Sequence, residues 1–130
     1  MKTLIVDDNS LFRDTLKECF TKYFSSMIVE EALDGKTAME KVESFQPDLI
    51  IMDLSLPDES GLDLTKKIRI TNSDIKVVIL SGHDYPEYKE MAARYGADAF
   101  LVKGAGVNEI LAMVESFFSN AEGSTIFKNQ

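Results

Sequence analysis

Short apolar runs rich in β-branched residues alternate along this chain with longer stretches of mixed polarity. The runs predict five strands, at residues 3–6, 27–29, 49–52, 77–80 and 99–102. The first, third and fourth runs are apolar on both faces, which is typical of parallel strands covered by helices on both sides. The second run is shorter and has polar flanks, so we predict that it forms an edge strand.

Apolar residues in the intervening stretches recur every three or four positions, which predicts five amphipathic helices. Asn9 or Ser10 is a suitable cap for the first helix, and Asp34 precedes the second. Pro47 ends the second helix and Gly96 the fourth. The positions predicted to face the core are Phe12, Leu16, Cys19 or Phe20, Tyr23, Ala38, Val42, Phe45, Leu64, Ile68, Tyr88, Met91, Ala92, Tyr95, Val107, Ile110, Leu111, Val114, Phe117 and Phe118.

Five strands alternating with five helices indicate an α/β domain with a mostly parallel sheet and right-handed crossovers. A length of 130 residues fits a single domain. We predict that this domain covers residues 1–120, and that residues 121–130 form a polar tail or the start of a linker. In such sheets the binding sites lie at the carboxyl ends of the strands.

Composition limits the partners and the setting. The chain has 22 acidic and 14 basic residues and a net charge of -8, so nucleic-acid phosphates would be repelled and we expect no direct nucleic-acid binding. No apolar run approaches the roughly 20 residues of a membrane-spanning helix, so we expect no membrane partner. Cys19 is the sole cysteine and has no internal disulfide partner, which favours a reducing, cytoplasmic setting.

Polar residues follow four of the predicted strands. Asp7 and Asp8 follow the first, Asp53 the third, Ser81 the fourth and Lys103 the fifth. Because these strand ends share one edge of the sheet, three carboxylates would crowd together and require a cation or a raised pKa. An oxygen-preferring ion such as Mg²⁺, with Mn²⁺ as an alternative, suits such a cluster.

The same residues suit phosphoryl chemistry. A carboxylate can act as a nucleophile toward phosphorus and form an aspartyl phosphate. A lysine and a small hydroxyl facing the same point would bind the phosphoryl oxygens. Each residue alone is typical of a helix cap, a turn or a solvated surface charge. Their joint occurrence at the ends of four strands favours a functional site.

This pattern resembles the receiver domain of response regulators in bacterial two-component systems. The resemblance rests on Asp7-Asp8-Asn9 after the first strand and on the segment from Pro47 to Gly61, which contains Asp53 and Pro57. It rests equally on Ser81-Gly82 and on the segment from Gly96 to Lys103. It implies a flavodoxin-like (βα)5 fold with strand order 2-1-3-4-5, and a signalling domain that is not an enzyme beyond its own phosphoryl transfer and dephosphorylation.

The resemblance also implies residue roles. Asp53 would accept a phosphoryl group from a sensor histidine kinase or a phosphotransfer protein. Asp7, Asp8, Asp53 and the main-chain carbonyl of Ser55 would hold the metal. Ser81 and Lys103 would bind the phosphoryl group, and Ser81 and Phe100 would form the switch. Ser55 and His83 stand where relatives tune hydrolysis of the acyl phosphate, although a lone histidine in a loop is ordinarily a surface residue.

The implied output is a changed surface on the fourth helix, fifth strand and fifth helix, presented to an output domain or a partner protein. A phosphorylation-dependent homodimer is a further expectation. Gly104 follows Lys103 where many relatives have proline, so the slow cis/trans step of an X-Pro bond is absent and the loop has less restraint.

Three other functions compete with this one. The run from Asp7 to Arg13 and the glycine after Lys103 resemble receivers that precede a helix-turn-helix domain, so the chain is alternatively the regulatory N-terminal fragment of a DNA-binding regulator. An aspartyl-phosphate phosphatase would usually carry a second Asp where Ser55 stands. A flavodoxin would have a loop rich in Ser, Thr and Gly after its first strand.

Overall fold

Five parallel strands form one sheet in the order β2-β1-β3-β4-β5. The structure is a computed structural model that describes the backbone of residues 1–122 and the side chains of residues 1–118. The strands are β1 (Lys2–Val6), β2 (Ile28–Ala32), β3 (Leu49–Asp53), β4 (Lys76–Ser81) and β5 (Ala99–Val102). The strand order therefore confirms the prediction.

A helix follows each strand, as predicted. The helices are α1 (Ser10–Tyr23), α2 (Gly35–Phe45), α3 (Gly61–Thr71), α4 (Pro86–Arg94) and α5 (Val107–Glu122), with a short 3-10 helix at Lys103–Ala105 before α5. Asn9 caps α1 by accepting a hydrogen bond from the Phe12 N–H. Gln46, the residue before Pro47, ends α2 with a left-handed backbone, φ 53°. Gly96 follows the end of α4 with φ 101°.

The sheet separates two apolar cores, because successive strand residues face opposite sides. One side packs β-strand residues such as Leu4, Ile50 and Ile79 against α2, α3 and α4. The other packs Ile5, Ile51 and their neighbours against α1 and α5. Both cores are built from large, fully buried side chains. The central strands are thus covered on both faces, and their carboxyl ends are fixed relative to one another.

Two details of the prediction were wrong. Strand β2 spans Ile28–Ala32 and not residues 27–29, because it continues through Glu30 and Glu31. At this edge of the sheet the two glutamates pair with basic side chains of neighbouring helices. Tyr23 was predicted to face the core but is 40% exposed at the last residue of α1.

The predicted tail mostly lies outside the described residues. Helix α5 continues to Glu122, and residues 123–130 are not described. Within residues 1–122, the helices are too short or too polar for any of them to cross a membrane.

Candidate functional site

The register of the sheet brings the predicted site residues to one edge. Val6, the residue before Asp7, pairs with Met52, the residue before Asp53. Asp53 itself pairs with Leu80, and Ser81 pairs with Val102. Asp7, Asp53, Ser81 and Lys103 therefore stand side by side where β1, β3, β4 and β5 end, as the sequence predicted.

Three carboxylates form the centre of this site. One ligand atom from each of Asp7, Asp8 and Asp53 lies within 4.8 Å of the others. Asp7 and Asp53 are buried, whereas Asp8 is exposed and accessible from solvent. The donor set is all oxygen, with no sulfur or imidazole among the three. The residues present therefore fit a hard divalent cation.

Lys103 is the positive charge of the site. Its Nζ lies 2.7 Å from Oδ2 of Asp7 and 3.5 Å from Oδ2 of Asp53. It also lies 4.6 Å from the centre of the Phe12 ring, which adds a cation–π contact. Burial disfavours the ammonium form, but the hydrogen bonds and charges of Asp7 and Asp53 outweigh it and raise the pKa of Lys103. The side chain is held charged between the two carboxylates.

Asp53 lies in surroundings that oppose the ionisation of its carboxyl group. Burial raises its pKa and so does the negative charge of Asp7, while Lys103 and the N–H of Ser55 act in the opposite direction. The net shift is upward, so the ionised form is destabilised by its surroundings. A cation bound beside Asp53 would offset this cost and favour the carboxylate form, which is the form of a carboxyl group that can act as a nucleophile.

The loop after β1 is held by hydrogen bonds to Asp7. Oδ1 of Asp7 accepts from the N–H of Asn9 at 2.9 Å, and the Asp7 N–H donates to the main-chain oxygen of Ala32 at 3.0 Å. The Arg13 guanidinium donates to the main-chain oxygen of Asp7 at 2.6 Å and pairs with Glu31 at 3.0 Å. These contacts fix the carboxylate of Asp7 beneath Lys103.

Ser55 lies in the loop between β3 and α3, residues 54–60. Its N–H donates to Oδ1 of Asp53 at 3.2 Å, so the loop turns back over the carboxylate. Gly61 follows this loop, and a Cβ at Gly61 would overlap the main-chain oxygen of Asp53. Glycine is thus required here by close packing.

Ser81 and His83 bond each other and not the carboxylates. The buried Ser81 hydroxyl donates to the main-chain oxygen of His83 at 2.8 Å and accepts from the His83 N–H at 3.0 Å. The exposed His83 ring stacks on Tyr85, with centroids 5.2 Å apart and planes 13° from parallel. Tyr85 in turn meets the ring of Tyr88 edge to face at 5.4 Å. His83 is thus part of a surface aromatic stack.

Phe100 lies on β5, where it pairs with Ile79 of β4. It is half-buried and packs against the core on the α4 side of the sheet. It also lines a surface cavity of about 180 Å³ between α4 and β5, together with Ala92 and Ala97. Phe100 therefore lies at the boundary between the core and this surface cavity.

Sequence reasoning did not identify all the residues around the site. Phe12 was predicted only as a core residue of α1, and Arg13 was noted only as part of a motif. The contact of Phe12 with Lys103 and that of Arg13 with the main chain of Asp7 both depend on how α1 is rotated over the strand ends. Phe12 is the first residue of the helical apolar pattern, which is the only signal that places it near the loops.

Comparison with known proteins gives one consistent family. A family model described as the response regulator receiver domain matches residues 3–115. The oxygen regulatory protein NreC of Staphylococcus carnosus (strain TM300) is 35% identical over 119 residues, which cover 91% of this chain and 55% of NreC. The transcriptional regulatory protein DegU of Brevibacillus brevis is 30% identical over 115 residues, which cover 88% of this chain and 49% of DegU. The chain thus spans about half the length of these relatives.

Two solved structures agree with this family. The CheY-like receiver domain protein of Methanospirillum hungatei JF-1 superposes with a TM-score of 0.83 at 25% identity, covering 92% of this chain and 94% of that one. A response regulator protein of Burkholderia pseudomallei has a TM-score of 0.78 at 27% identity, covering 92% of this chain and 72% of that one. That structure contains a phosphorylated aspartic acid, a calcium ion and citrate.

Proposed function

We propose that Asp53 accepts a phosphoryl group and so switches the domain, because this chain belongs to the family of response regulator receiver domains. The observation that carries this proposal is the position of Asp53 beside Asp7, Asp8 and Lys103 at the carboxyl edge of the sheet. The charge environment of Asp53 supports it, because the surroundings oppose ionisation until a cation is bound.

The proposed reaction is a phosphoryl transfer from the phosphohistidine of a sensor histidine kinase or a phosphotransfer protein. A carboxylate oxygen of Asp53 forms the new bond to phosphorus. The phosphorus–nitrogen bond of the donor breaks, and its electron pair stays on the imidazole nitrogen. Lys103 lies near enough to Asp53 to pair with an oxygen of the transferred group. The catalysis of this step, and of the later hydrolysis, is part of the proposal.

The proposed metal ligands are Asp7, Asp8, Asp53 and the main-chain carbonyl of Ser55. Mg²⁺ is the expected ion, with Mn²⁺ as an alternative, because the donors are all oxygen. The Burkholderia pseudomallei response regulator structure contains a calcium ion, which supports the proposal that the present chain also binds a divalent cation. When bound, the ion would supply positive charge that reduces repulsion between the attacking carboxylate and the phosphoryl oxygens.

The proposed switch begins at Ser81. Its hydroxyl is committed to His83 in this structure, so turning toward a phosphoryl oxygen would break that hydrogen bond. Phe100 would follow by rotating inward, and the surface of α4, β5 and α5 would change. That surface would contact an output domain or a partner protein, or a second copy in a phosphorylation-dependent homodimer. Ser55 and His83 stay candidates for tuning hydrolysis.

The phosphoacceptor is tested by treating the protein with acetyl phosphate and Mg²⁺ and measuring intact mass. Wild type should gain the mass of one phosphoryl group, and Asp53→Asn should not. Asp63→Asn, which removes an exposed carboxylate from the first turn of α3, is the matched control and should label as wild type does. Chelation of the metal should prevent labelling. Equal labelling of the Asp53→Asn variant would refute the assignment.

A second candidate is that the chain is the regulatory N-terminal part of a longer DNA-binding regulator. The lengths of NreC and DegU favour it, since the chain matches only about half of each. Reading the gene beyond Gln130 tests it: a following helix-turn-helix domain would support this candidate, and a stop codon would contradict it. The net charge of -8 still argues against direct nucleic-acid binding by these 130 residues.

A further inference from the structure

The loop between β3 and α3 is tied at its apex to the start of α2, which lies on the same side of the sheet as α3. Both carboxylate oxygens of Asp58 accept main-chain hydrogen bonds from the first turn of α2. Oδ1 accepts from the N–H of Gly35 at 2.8 Å, and Oδ2 accepts from the N–H of Lys36 at 3.0 Å. These hydrogen bonds hold the pKa of Asp58 below its ordinary value. The carboxylate therefore stays ionised and keeps both acceptors.

The neighbouring Glu59 adds a packing contact between the same loop and the start of α2. Its side chain lies over Gly35, where a Cβ would be 2.6 Å from Oε2 of Glu59. Its carboxylate also pairs with Lys67 of α3 at 2.9 Å. Because Gly35 has no side chain, the loop can approach α2 closely enough for Asp58 to bind.

The other end of the same loop lies against the phosphorylation site. The Gly61 N–H donates to the main-chain oxygen of Leu54 at 2.7 Å, and Ser55 and Ser60 form an antiparallel bridge. The loop is thus a short hairpin whose base carries Ser55 next to Asp53. A hairpin anchored at its base and at its apex has little freedom to move Ser55.

Asp58 is not simply a cap of α2, because α2 already has one. Asp34 is the N-cap, and its Oδ1 accepts from the N–H of Thr37 at 2.8 Å. Asp58 instead binds the N–H groups of Gly35 and Lys36 from a segment more than twenty residues away in the sequence. Within the described part of the chain, Asp58 supplies the hydrogen bonds between the start of α2 and the loop that carries Ser55.

We propose that Asp58 is a positioning residue for the metal site: it anchors the hairpin and so holds the Ser55 main-chain carbonyl where it binds the cation. This inference rests on the proposed function, in which Ser55 is a metal ligand. Outer residues that orient metal ligands commonly contribute tenfold or more to metal affinity. We therefore expect loss of the Asp58 carboxylate to weaken Mg²⁺ binding about tenfold.

The test compares Asp58→Ala with Asp34→Ala by isothermal titration of the protein with Mg²⁺. Both substitutions remove one negative charge from the N-terminus of α2. Asp58→Ala removes two hydrogen bonds there and Asp34→Ala removes one, but only the first releases the loop. Asp58→Ala should raise the dissociation constant about tenfold. Asp34→Ala should lower thermal stability and leave the dissociation constant within about twofold of wild type. Equal affinities in wild type and Asp58→Ala, or equal losses in both variants, would overturn the proposal.

A second variant and a second measurement keep the test decisive. Asp58→Asn retains one acceptor oxygen and should give a smaller loss of Mg²⁺ affinity. If Asp58→Ala does not fold, wild-type affinity in the folded Asp58→Asn protein overturns the proposal. In metal-free protein, amide hydrogen exchange at Gly61 should be faster in Asp58→Ala than in wild type or Asp34→Ala. Unchanged exchange would show that the anchor does not hold the hairpin.

The proposed function and the positioning role of Asp58 can be refuted separately. A wild-type protein that neither binds Mg²⁺ nor labels at Asp53 would contradict the proposed function and, with it, the positioning role. A wild type that binds and labels, with an Asp58→Ala variant that matches it, would contradict the positioning role alone.

Discussion

Lys103 stands between two carboxylates that would otherwise repel each other. One ammonium group faces Asp7 at 2.7 Å and Asp53 at 3.5 Å, with Asp8 nearby as a third negative charge. The described site thus holds more negative than positive charge. The shorter distance to Asp7 leaves Asp53 the less neutralised of the two buried groups, which agrees with the raised pKa of Asp53. The excess of negative charge that favours binding of a cation also means that ionised Asp53 lowers the stability of the metal-free fold.

The cost of Asp53 predicts a pH-dependent gain in stability for Asp53→Asn. A raised pKa means that the folded state binds a proton more tightly than the unfolded state, so stability falls as pH rises through the shifted pKa. Without metal at pH 7, Asp53→Asn should increase the free energy of unfolding by about 1 kcal/mol. The gain should disappear below about pH 4, where the unfolded carboxyl is itself protonated.

Urea unfolding at both pH values measures this difference. Asp63→Asn, on the surface of α3, should show no comparable pH-dependent gain. Added Mg²⁺ should stabilise wild type more than Asp53→Asn, because it relieves the repulsion at Asp53. A variant less stable than wild type at pH 7 would show that the pairing with Lys103 outweighs burial and the charge of Asp7.

The sequence predicted the central residues of the site but not their supports. Asp7, Asp53, Ser81 and Lys103 could be brought together from sequence because each directly follows a strand of one parallel sheet. Asp58 could not be connected to α2 in the same way. Its partners are main-chain N–H groups, which every residue except proline has, so no residue pattern marks the pair.

At the scale of elements, Arg69 organises the edge of the sheet opposite the site. From the last turn of α3 it donates to the main-chain oxygens of Gly96, at 2.6 Å, and of Ile75. It also pairs at 2.5 Å with Asp98, which accepts from the Val77 N–H at 2.8 Å. These bonds join α3 to the starts of β4 and β5 and to the end of α4.

This network predicts that Arg69→Met destabilises the fold without affecting phosphorylation. The substitution keeps an apolar side chain of similar length but removes the guanidinium that donates to Gly96, Ile75 and Asp98. We expect the free energy of unfolding to fall by about 2–3 kcal/mol. Arg94→Met is the matched control, since the Arg94–Glu90 pair on α4 is exposed and should change stability by less than about 0.5 kcal/mol. Denaturant unfolding gives both values. Labelling of Asp53 should stay at the wild-type level, because the network lies at the amino ends of the strands.

The helix and strand boundaries show which local signals were sufficient. Gly96 was predicted to end α4, and it does so with the positive φ that favours glycine. Strand β2 was predicted too short because Glu30 and Glu31 read as polar positions outside a strand. In the structure Glu30 pairs with Lys41 and Glu31 pairs with Arg13. Acidic residues that the polarity pattern assigned to a loop can therefore belong to this edge strand.

For the whole molecule, the loop between β4 and α4 links the site to one face of the fold. Ser81 ends β4 at the site and bonds His83, and the His83 ring stacks on Tyr85. Tyr85 is the residue before α4, and Tyr88 in the first turn of α4 meets its ring. A movement of the Ser81 hydroxyl therefore acts on a chain of contacts that reaches α4 within a few residues.

This connection predicts that Ser81→Ala separates phosphorylation from the conformational response. The variant should still label at Asp53, because the carboxylates and Lys103 are unchanged. Because the variant lacks the Ser81 hydroxyl, it has no hydrogen bond to His83 that could be replaced by a hydrogen bond to the phosphoryl group. We take the coupling free energy between phosphorylation and the conformational change to be about 1 kcal/mol, the low end for such switches. Its loss would reduce the phosphorylation-dependent change in the equilibrium constant between the two conformations roughly fivefold.

Amide NMR spectra with and without beryllofluoride and Mg²⁺ measure the response at His83, Phe100 and α4. Wild type should show large changes at all three, and Ser81→Ala should show changes confined to the neighbourhood of Asp53. Ser73→Ala, an exposed serine near the opposite edge of the sheet, should respond as wild type does. If Ser81→Ala gives the full wild-type response at Phe100 and α4, the signal reaches that face by a route that does not pass through the Ser81 hydroxyl.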